Sequence, residues 1–131
     1  MRWKKTVTMV EAHAEGEVGR VVTGGIGPLP GKTMLDALNW MNGDGNALRR
    51  FMVLEPRGAA QMSTILQIPA RHPDADIGFL VMQGDKTHAM SGSNTICLAT
   101  VLLETGQIEM HEPETRFTLD TASGLVEVAA T

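Results

Sequence analysis

The sequence has a single cysteine and no tyrosine, and aromatic residues make up only 4% of it. One cysteine excludes an internal disulfide and any metal site built from several thiolates. With so few aromatic rings, aliphatic side chains and nine methionines must fill the core. The remaining composition, 43% hydrophobic and 20% charged, indicates a packed domain rather than a disordered chain.

An excess of positive charge is also missing. The formal net charge of -4 leaves no basic surface of the kind that nucleic-acid-binding proteins use. No segment reaches the roughly 18 consecutive apolar residues of a membrane span. Residues 1–5 are basic, but residues 6–15 carry charges and do not form the apolar core of a signal peptide. We therefore expect one domain, located in the cytoplasm, with no nucleic-acid or membrane partner.

A small polar segment that continues into an apolar one, residues 90–106, is predicted to be the centre of the fold. Its opening residues are good N-cap residues, because their side-chain oxygens can accept from the first amides of a helix. Helical spacing spreads the apolar residues around nearly the whole circumference, which predicts a buried helix over 93–104 with almost no exposed surface. Gly106 lies where a left-handed residue ends such a helix. The apolar residues are Ile96, Cys97, Leu98, Ala99, Val101, Leu102 and Leu103.

The first turn of this helix carries Ser91, Gly92, Ser93, Asn94 and Thr95. A buried helix that begins in this way points unpaired backbone amides at its surroundings, and such a helix start can bind an anion. Two interpretations are open from the residues alone. One is a core helix with an ordinary polar cap, and the other is a carboxylate or phosphate site.

The rest of the chain reads as strands on either side of two short helices. Apolar and β-branched patterns predict strands over 6–13, 17–23, 61–68, 77–82, 116–120 and 124–129. Helical spacing predicts helices over 33–40 and 47–54. This order favours an α+β fold in which one mixed, curved β-sheet wraps around the central apolar helix.

Motifs along the whole chain resemble the proline racemase family. Residues 90–96 are similar to the family's first active-site motif, Met-Cys-Gly-His-Gly/Asn-Thr-Ile-Gly. Two residues depart from that motif: Ser91 stands where the family has a catalytic cysteine, and Ser93 stands where it usually has a histidine. Further matches in the expected order lie at residues 11–17, 20–25, 28–31, 55–58 and 75–79.

The resemblance implies a diaminopimelate-epimerase-like fold, in which two pseudo-symmetric domains enclose the active site between them. Members of the family are more than twice as long as this chain. We therefore expect residues 1–131 to be the N-terminal domain, with the second domain and its catalytic motif outside the chain. Without that domain, apolar surface would be exposed, which favours self-association such as a homodimer.

The resemblance also implies an enzyme that needs no cofactor and no metal, and that acts at the α-carbon of proline or hydroxyproline as a racemase or epimerase. Ser91 is then the candidate catalytic residue, and Gly92, Ser93, Asn94 and Thr95 are candidates to bind the small amino acid substrate. A trans-3-hydroxy-L-proline dehydratase is one alternative, because elimination needs only one base and help for the leaving hydroxyl. An inactive carboxylate-binding homologue is the other.

The chemistry of Ser91 is the difficulty in this prediction. A serine hydroxyl is a much weaker acid than a thiol and becomes a base only when a partner takes its proton. His88, three residues earlier, is one nearby candidate, and its other interpretation is an ordinary surface histidine. The lone thiol of Cys97 is expected to be an inert core group rather than a displaced catalyst.

Overall fold

The computed structural model describes residues 6–59 and 61–131 of the chain. Every predicted helix and strand is present, with ends shifted by at most two residues, and one two-residue strand at Thr87–His88 had not been predicted. In chain order the elements are β1 (Thr8–Ala14), β2 (Glu17–Gly24), α1 (Met34–Met41), α2 (Asn46–Val53), β3 (Ser63–Pro69), β4 (Ile77–Met82), β5 (Thr87–His88), α3 (Gly92–Glu104), β6 (Thr115–Thr121) and β7 (Gly124–Ala130).

The strands form one mixed sheet in the order β1-β2-β3-β4-β6-β7, and β5 pairs with the end of β4. β2 runs parallel to β3, and β4 runs parallel to β6. The other neighbouring strands are antiparallel, including the β1–β2 hairpin. The prediction of a mixed sheet is therefore confirmed.

Helix α3 packs on one face of this sheet. Six strands send side chains into the same cluster with α3, which confirms that the sheet wraps around the helix. One residue from each strand illustrates the arrangement: Val10 of β1, Val21 of β2, Ile65 of β3, Phe79 of β4, Phe117 of β6 and Val126 of β7.

Helices α1 and α2 cover the opposite face. Because successive side chains of a strand point to opposite faces, Val22 and Leu66 lie in this second cluster although Val21 and Ile65 lie in the first. Methionine dominates here, as the scarcity of aromatic residues predicts. The buried methionines are Met34, Met41, Met52 and Met82.

The prediction that α3 has almost no exposed surface is wrong for one of its sides. Leu98, Val101 and Leu102 are buried as expected, but Ile96 is 57% exposed, and Thr100 is exposed as well. Residues four apart lie on the same side of a helix, so these two residues mark a stripe that the curved sheet does not reach. In the described part of the chain, no helix is long and apolar enough to cross a membrane.

Candidate active site

Ser91 is the N-cap residue of α3, with extended backbone angles of φ −151° and ψ 135°. Its carbonyl oxygen accepts from the Thr95 backbone amide at 2.9 Å and from the Thr95 hydroxyl at 2.7 Å. Its side chain, however, makes no capping hydrogen bond. The expectation that this hydroxyl caps the helix is therefore wrong, and the first amides of α3 have no side-chain acceptor at the N-cap.

The Ser91 hydroxyl is held by a different contact. The side-chain amide of Asn94, three residues further on, donates to Ser91 Oγ at 3.1 Å. Ser93 Oγ lies 3.5 Å from the same oxygen. Asn94 is only 4% exposed, whereas Ser91 and Ser93 are partly exposed. The structure thus brings the side chains of three predicted site residues together, and we call Ser91, Ser93 and Asn94 the Ser91 cluster.

Gly92 lies in front of open space. It is exposed, and a Cβ atom added to it would meet no other atom within 4 Å. The fold therefore does not require glycine here, and a small anion has room to approach the backbone of the first helical turn.

A cleft of about 570 Å³ borders Ser93. The tip of the β1–β2 hairpin forms its other wall, because β1 and β2 both pack against α3. The lining residues are His13, Ala14, Glu15, Glu17, Ser93 and Ile96. Among them, His13 is the one histidine. It is exposed, but it lies beside the site, and its Nδ1 accepts from the Gly16 amide at 3.2 Å. Only the resemblance of residues 11–17 to a family motif could have indicated this.

His88 is not the partner of Ser91 in this structure. Its Nε2 lies 2.9 Å from Asp85 Oδ1, and this contact helps to hold the pKa of Asp85 below its ordinary value. No hydrogen bond joins His88 to Ser91 within residues 6–59 and 61–131. The interpretation of His88 as an ordinary histidine of the surface layer fits this geometry.

Cys97 lies in the core between α3 and β2, and only 1% of it is exposed. Burial raises the pKa of this thiol, because an apolar surrounding disfavours the thiolate. Gly19 of β2 lies directly against it. A Cβ atom at position 19 would lie 2.9 Å from Cys97 Sγ and 3.1 Å from Asn94 Oδ1. The close packing of β2 on the start of α3 therefore depends on this glycine.

Known proteins identify the fold around this site. Residues 9–131 match the proline racemase family. The chain belongs to the proline racemase family. Among the described residues, no group of three His, Cys, Asp or Glu side chains could hold a metal ion.

Two relatives show how far the similarity extends. The chain is 56% identical over 133 aligned positions to 4-hydroxyproline 2-epimerase 1 of Rhizobium rhizogenes (strain K84). It is 54% identical over 133 positions to 4-hydroxyproline 2-epimerase of Agrobacterium fabrum (strain C58). Each alignment covers 100% of this chain and 39% of the relative. The chain therefore spans well under half the length of the relatives that it matches.

Solved structures are similar in the same region. A hydroxyproline epimerase from Agrobacterium vitis with bound trans-4-OH-L-proline has a TM-score of 0.96 and 50% identity, over 100% of this chain and 39% of that one. A probable proline racemase from Agrobacterium radiobacter K84 with bound carbonate has a TM-score of 0.93 and 55% identity, over 96% and 38%. A PhzF-family protein of Bacillus anthracis, 18% identical with a TM-score of 0.56 over 92% and 34%, shares the fold alone. These likenesses confirm the predicted diaminopimelate-epimerase-like fold.

Proposed function

We propose that residues 1–131 are the N-terminal domain of a longer, two-domain enzyme that epimerises 4-hydroxyproline at its α-carbon without a cofactor. The observation that carries the proposal is the match of the entire chain, at a TM-score of 0.96, to an epimerase with bound trans-4-OH-L-proline. The open helix start beside the Ser91 cluster supports it, because a proline-type substrate brings a carboxylate for backbone amides to bind.

In this proposal, the first turn of α3 binds the substrate carboxylate through the backbone amides of Gly92, Ser93 and Asn94. Thr95, the fourth candidate, already donates both its amide and its hydroxyl to the Ser91 carbonyl oxygen, so it orders the turn instead. The α-proton is weakly acidic, and fixed amide donors stabilise the charge that spreads onto the carboxylate when the proton leaves. Ser91 acts on one face of the α-carbon. Its hydroxyl delivers a proton there, while a residue of the second domain removes the original proton from the opposite face.

A dehydratase acting on trans-3-hydroxy-L-proline is the second candidate. The hydrogen bond between His88 and Asp85 favours the dehydratase, because it leaves Ser91 without a histidine partner. Without such a partner, Ser91 is a poor base for the reversible proton transfer that an epimerase needs. Elimination needs one base and help for the leaving hydroxyl, so a different residue could remove the proton. An inactive carboxylate-binding protein would keep the helix start and lose the chemistry.

Two exposed apolar residues beside the site support contact with a second domain or a second copy of the chain. Met90 is 41% exposed and Ile96 is 57% exposed. In the proposed longer enzyme, the second domain covers them. In the 131-residue chain they stay open and favour self-association, such as a homodimer. A cytoplasmic location belongs to the same proposal, because a lone reduced thiol such as that of Cys97 persists there.

Deuterium exchange at the α-carbon tests the proposal. The longer protein is incubated in heavy water with trans-4-hydroxy-L-proline, L-proline or trans-3-hydroxy-L-proline, and products are identified by NMR. We expect exchange and epimer formation with the 4-hydroxylated substrate. Loss of the 3-hydroxyl would indicate the dehydratase, and binding without exchange would indicate the inactive homologue.

The 131-residue chain should show no exchange, because the opposing acid or base is missing and water reaches the other face of the substrate. Ser91→Cys should raise exchange in the longer protein and change nothing in the 131-residue chain. Racemisation by the unmodified 131-residue chain would contradict the assignment of a second catalytic domain.

A further inference from the structure

We propose that Asn94 is a positioning residue for Ser91: its side-chain amide orients the hydroxyl as a proton donor and stabilises the oxygen once the proton has left. The inference rests on the proposed function of Ser91. It gives the Asn94 side chain a role through Ser91, in addition to the role of the helix backbone in binding the substrate.

The geometry of the contact carries the proposal. Asn94 Nδ2 lies 3.1 Å from Ser91 Oγ, within ordinary hydrogen-bond range. Asn94 is 4% exposed, so little water competes for its amide, while Ser91 remains partly exposed. A buried donor is thus aimed at a hydroxyl that stays accessible from outside.

The chemistry follows from what an amide N–H can do. It only donates, so it occupies a lone pair of Ser91 Oγ and leaves the hydroxyl proton free to point at another group. When that proton passes to the α-carbon, the O–H bond breaks and its electron pair stays on Oγ. The hydrogen bond from Asn94 then has a charged acceptor, and such bonds are the stronger kind. Asn94 therefore stabilises the alkoxide form of Ser91, which a serine hydroxyl does not form readily by itself.

Packing keeps the Asn94 amide in place. β2 passes so close that a Cβ atom on Gly19 would lie 3.1 Å from Asn94 Oδ1. The glycine therefore lets the amide fit between the strand and the helix start, and the strand in turn limits its rotation.

A thiol at position 91 makes the effect measurable without any substrate. We suggest titrating the Ser91→Cys variant of the 131-residue chain through the ultraviolet absorbance of its thiolate, with Cys97→Ala as a common background. The same titration is made after adding Asn94→Ala or Asn94→Asp. Thr100→Ala is the matched control, because its hydroxyl bonds the Ile96 carbonyl further along α3, away from Ser91.

We expect Asn94→Ala to raise the pKa of the thiol at position 91 by about one unit, which is a tenfold lower thiolate-to-thiol ratio at a given pH. Asn94→Asp should raise the pKa further, because it replaces the donor with a negative charge of the same size. Thr100→Ala should leave the pKa unchanged. Equal pKa values in the parent and the Asn94→Asp variant would overturn the proposal, and so would a shift as large in the control.

Folding of each variant is checked by circular dichroism. If Asn94→Ala does not fold, Asn94→Asp decides, because its side chain fills the same volume. The outcome is independent of catalysis: a thiol pKa that responds to Asn94 supports the inference even if the longer protein shows no exchange. Exchange without a pKa response would sustain the proposed function and refute the role of Asn94.

Discussion

Helices α1 and α3 start with the same backbone geometry, but their first turns are bonded differently. Thr33, the N-cap of α1, has φ −121° and ψ 167°, which is extended like Ser91 at φ −151° and ψ 135°. The Thr33 hydroxyl accepts from the Asp36 amide, and the Asp36 carboxylate accepts from the Thr33 amide, which completes a capping box. At α3 the corresponding hydroxyl caps nothing and instead accepts from Asn94.

The residue at the third helical position explains the difference. Asp36 can only accept, so it satisfies the backbone of its own N-cap. Asn94 occupies the equivalent position in α3 and donates to the N-cap side chain. In α1, both polar side chains serve the stability of the helix. In α3, they leave backbone amides and a hydroxyl available, as the proposed substrate site requires.

Exchanging serine for alanine at the α3 N-cap tests this contrast most strongly. In the proposed longer enzyme, Ser91→Ala should lower the rate of epimer formation by about a hundredfold or more, since it removes the proton donor on one face of the α-carbon. The opposite residue can still exchange the original proton. The free energy of unfolding should fall by about 1 kcal/mol: no cap is lost, but the buried Asn94 amide loses its acceptor. Thr33→Ala serves as the matched N-cap control and should leave epimer formation intact. Normal epimer formation in the Ser91→Ala enzyme would contradict the proposed role of Ser91.

Adding one methyl group to β2 should disturb the start of α3 without touching α1. In Gly19→Ala, the new Cβ would lie 2.9 Å from Cys97 Sγ and 3.1 Å from Asn94 Oδ1. Such overpacking lowers the free energy of unfolding by about 1–3 kcal/mol, measurable by urea denaturation. Gly27→Ala is the control, because a Cβ there meets nothing within 4 Å. Equal stability of the two variants would show that the packing of β2 on Asn94 is not tight.

The sequence predicted the elements well because each depends on local pattern. The apolar period of α3 and the glycine at its end are local signals, and Gly106 indeed has φ +77°. Strand order, parallel pairs and the two-residue strand β5 depend on contacts between distant residues. The exposure of Ile96 was not predicted either, because an apolar pattern does not reveal how far a sheet extends around a helix.

The side-chain contacts at the start of α3 could not be predicted from the sequence. Family resemblance located Ser91, Ser93 and Asn94, and the structure brings their side chains together. N-cap preference describes which residue types accept from backbone amides, and it could not show that Asn94 takes the Ser91 hydroxyl instead. Likewise, the pairing of His88 with Asp85 forms across a turn, where three-residue spacing alone does not fix side-chain direction.

Removing the α1 cap should have a moderate effect on stability. Thr33→Ala loses the hydroxyl that accepts from the Asp36 amide at 3.1 Å. We expect the free energy of unfolding to fall by about 1 kcal/mol, as is typical when an N-cap is replaced by alanine. Chemical denaturation measures this difference. An unchanged free energy of unfolding would mean that the capping box does not stabilise α1.

Lowering the pH should have the smallest effect, because it removes only the contribution of the Asp36 charge to the α1 cap. The pKa of Asp36 is lowered from its ordinary value of 3.8, mainly because its carboxylate accepts from the Lys32 and Thr33 amides. A lowered folded-state pKa means that the ionised carboxylate stabilises the fold above its unfolded pKa, and that this stabilisation disappears as pH falls through the folded pKa. Asp36→Asn should therefore be less stable than the unmodified chain at neutral pH, and the gap should close below the ordinary carboxyl range. Because Asp36 is on the surface, salt should also reduce the gap. The Asp36→Asn variant has the same residue type at its third helical position as α3. If the stability difference persists in acid, the charge of Asp36 is not its cause.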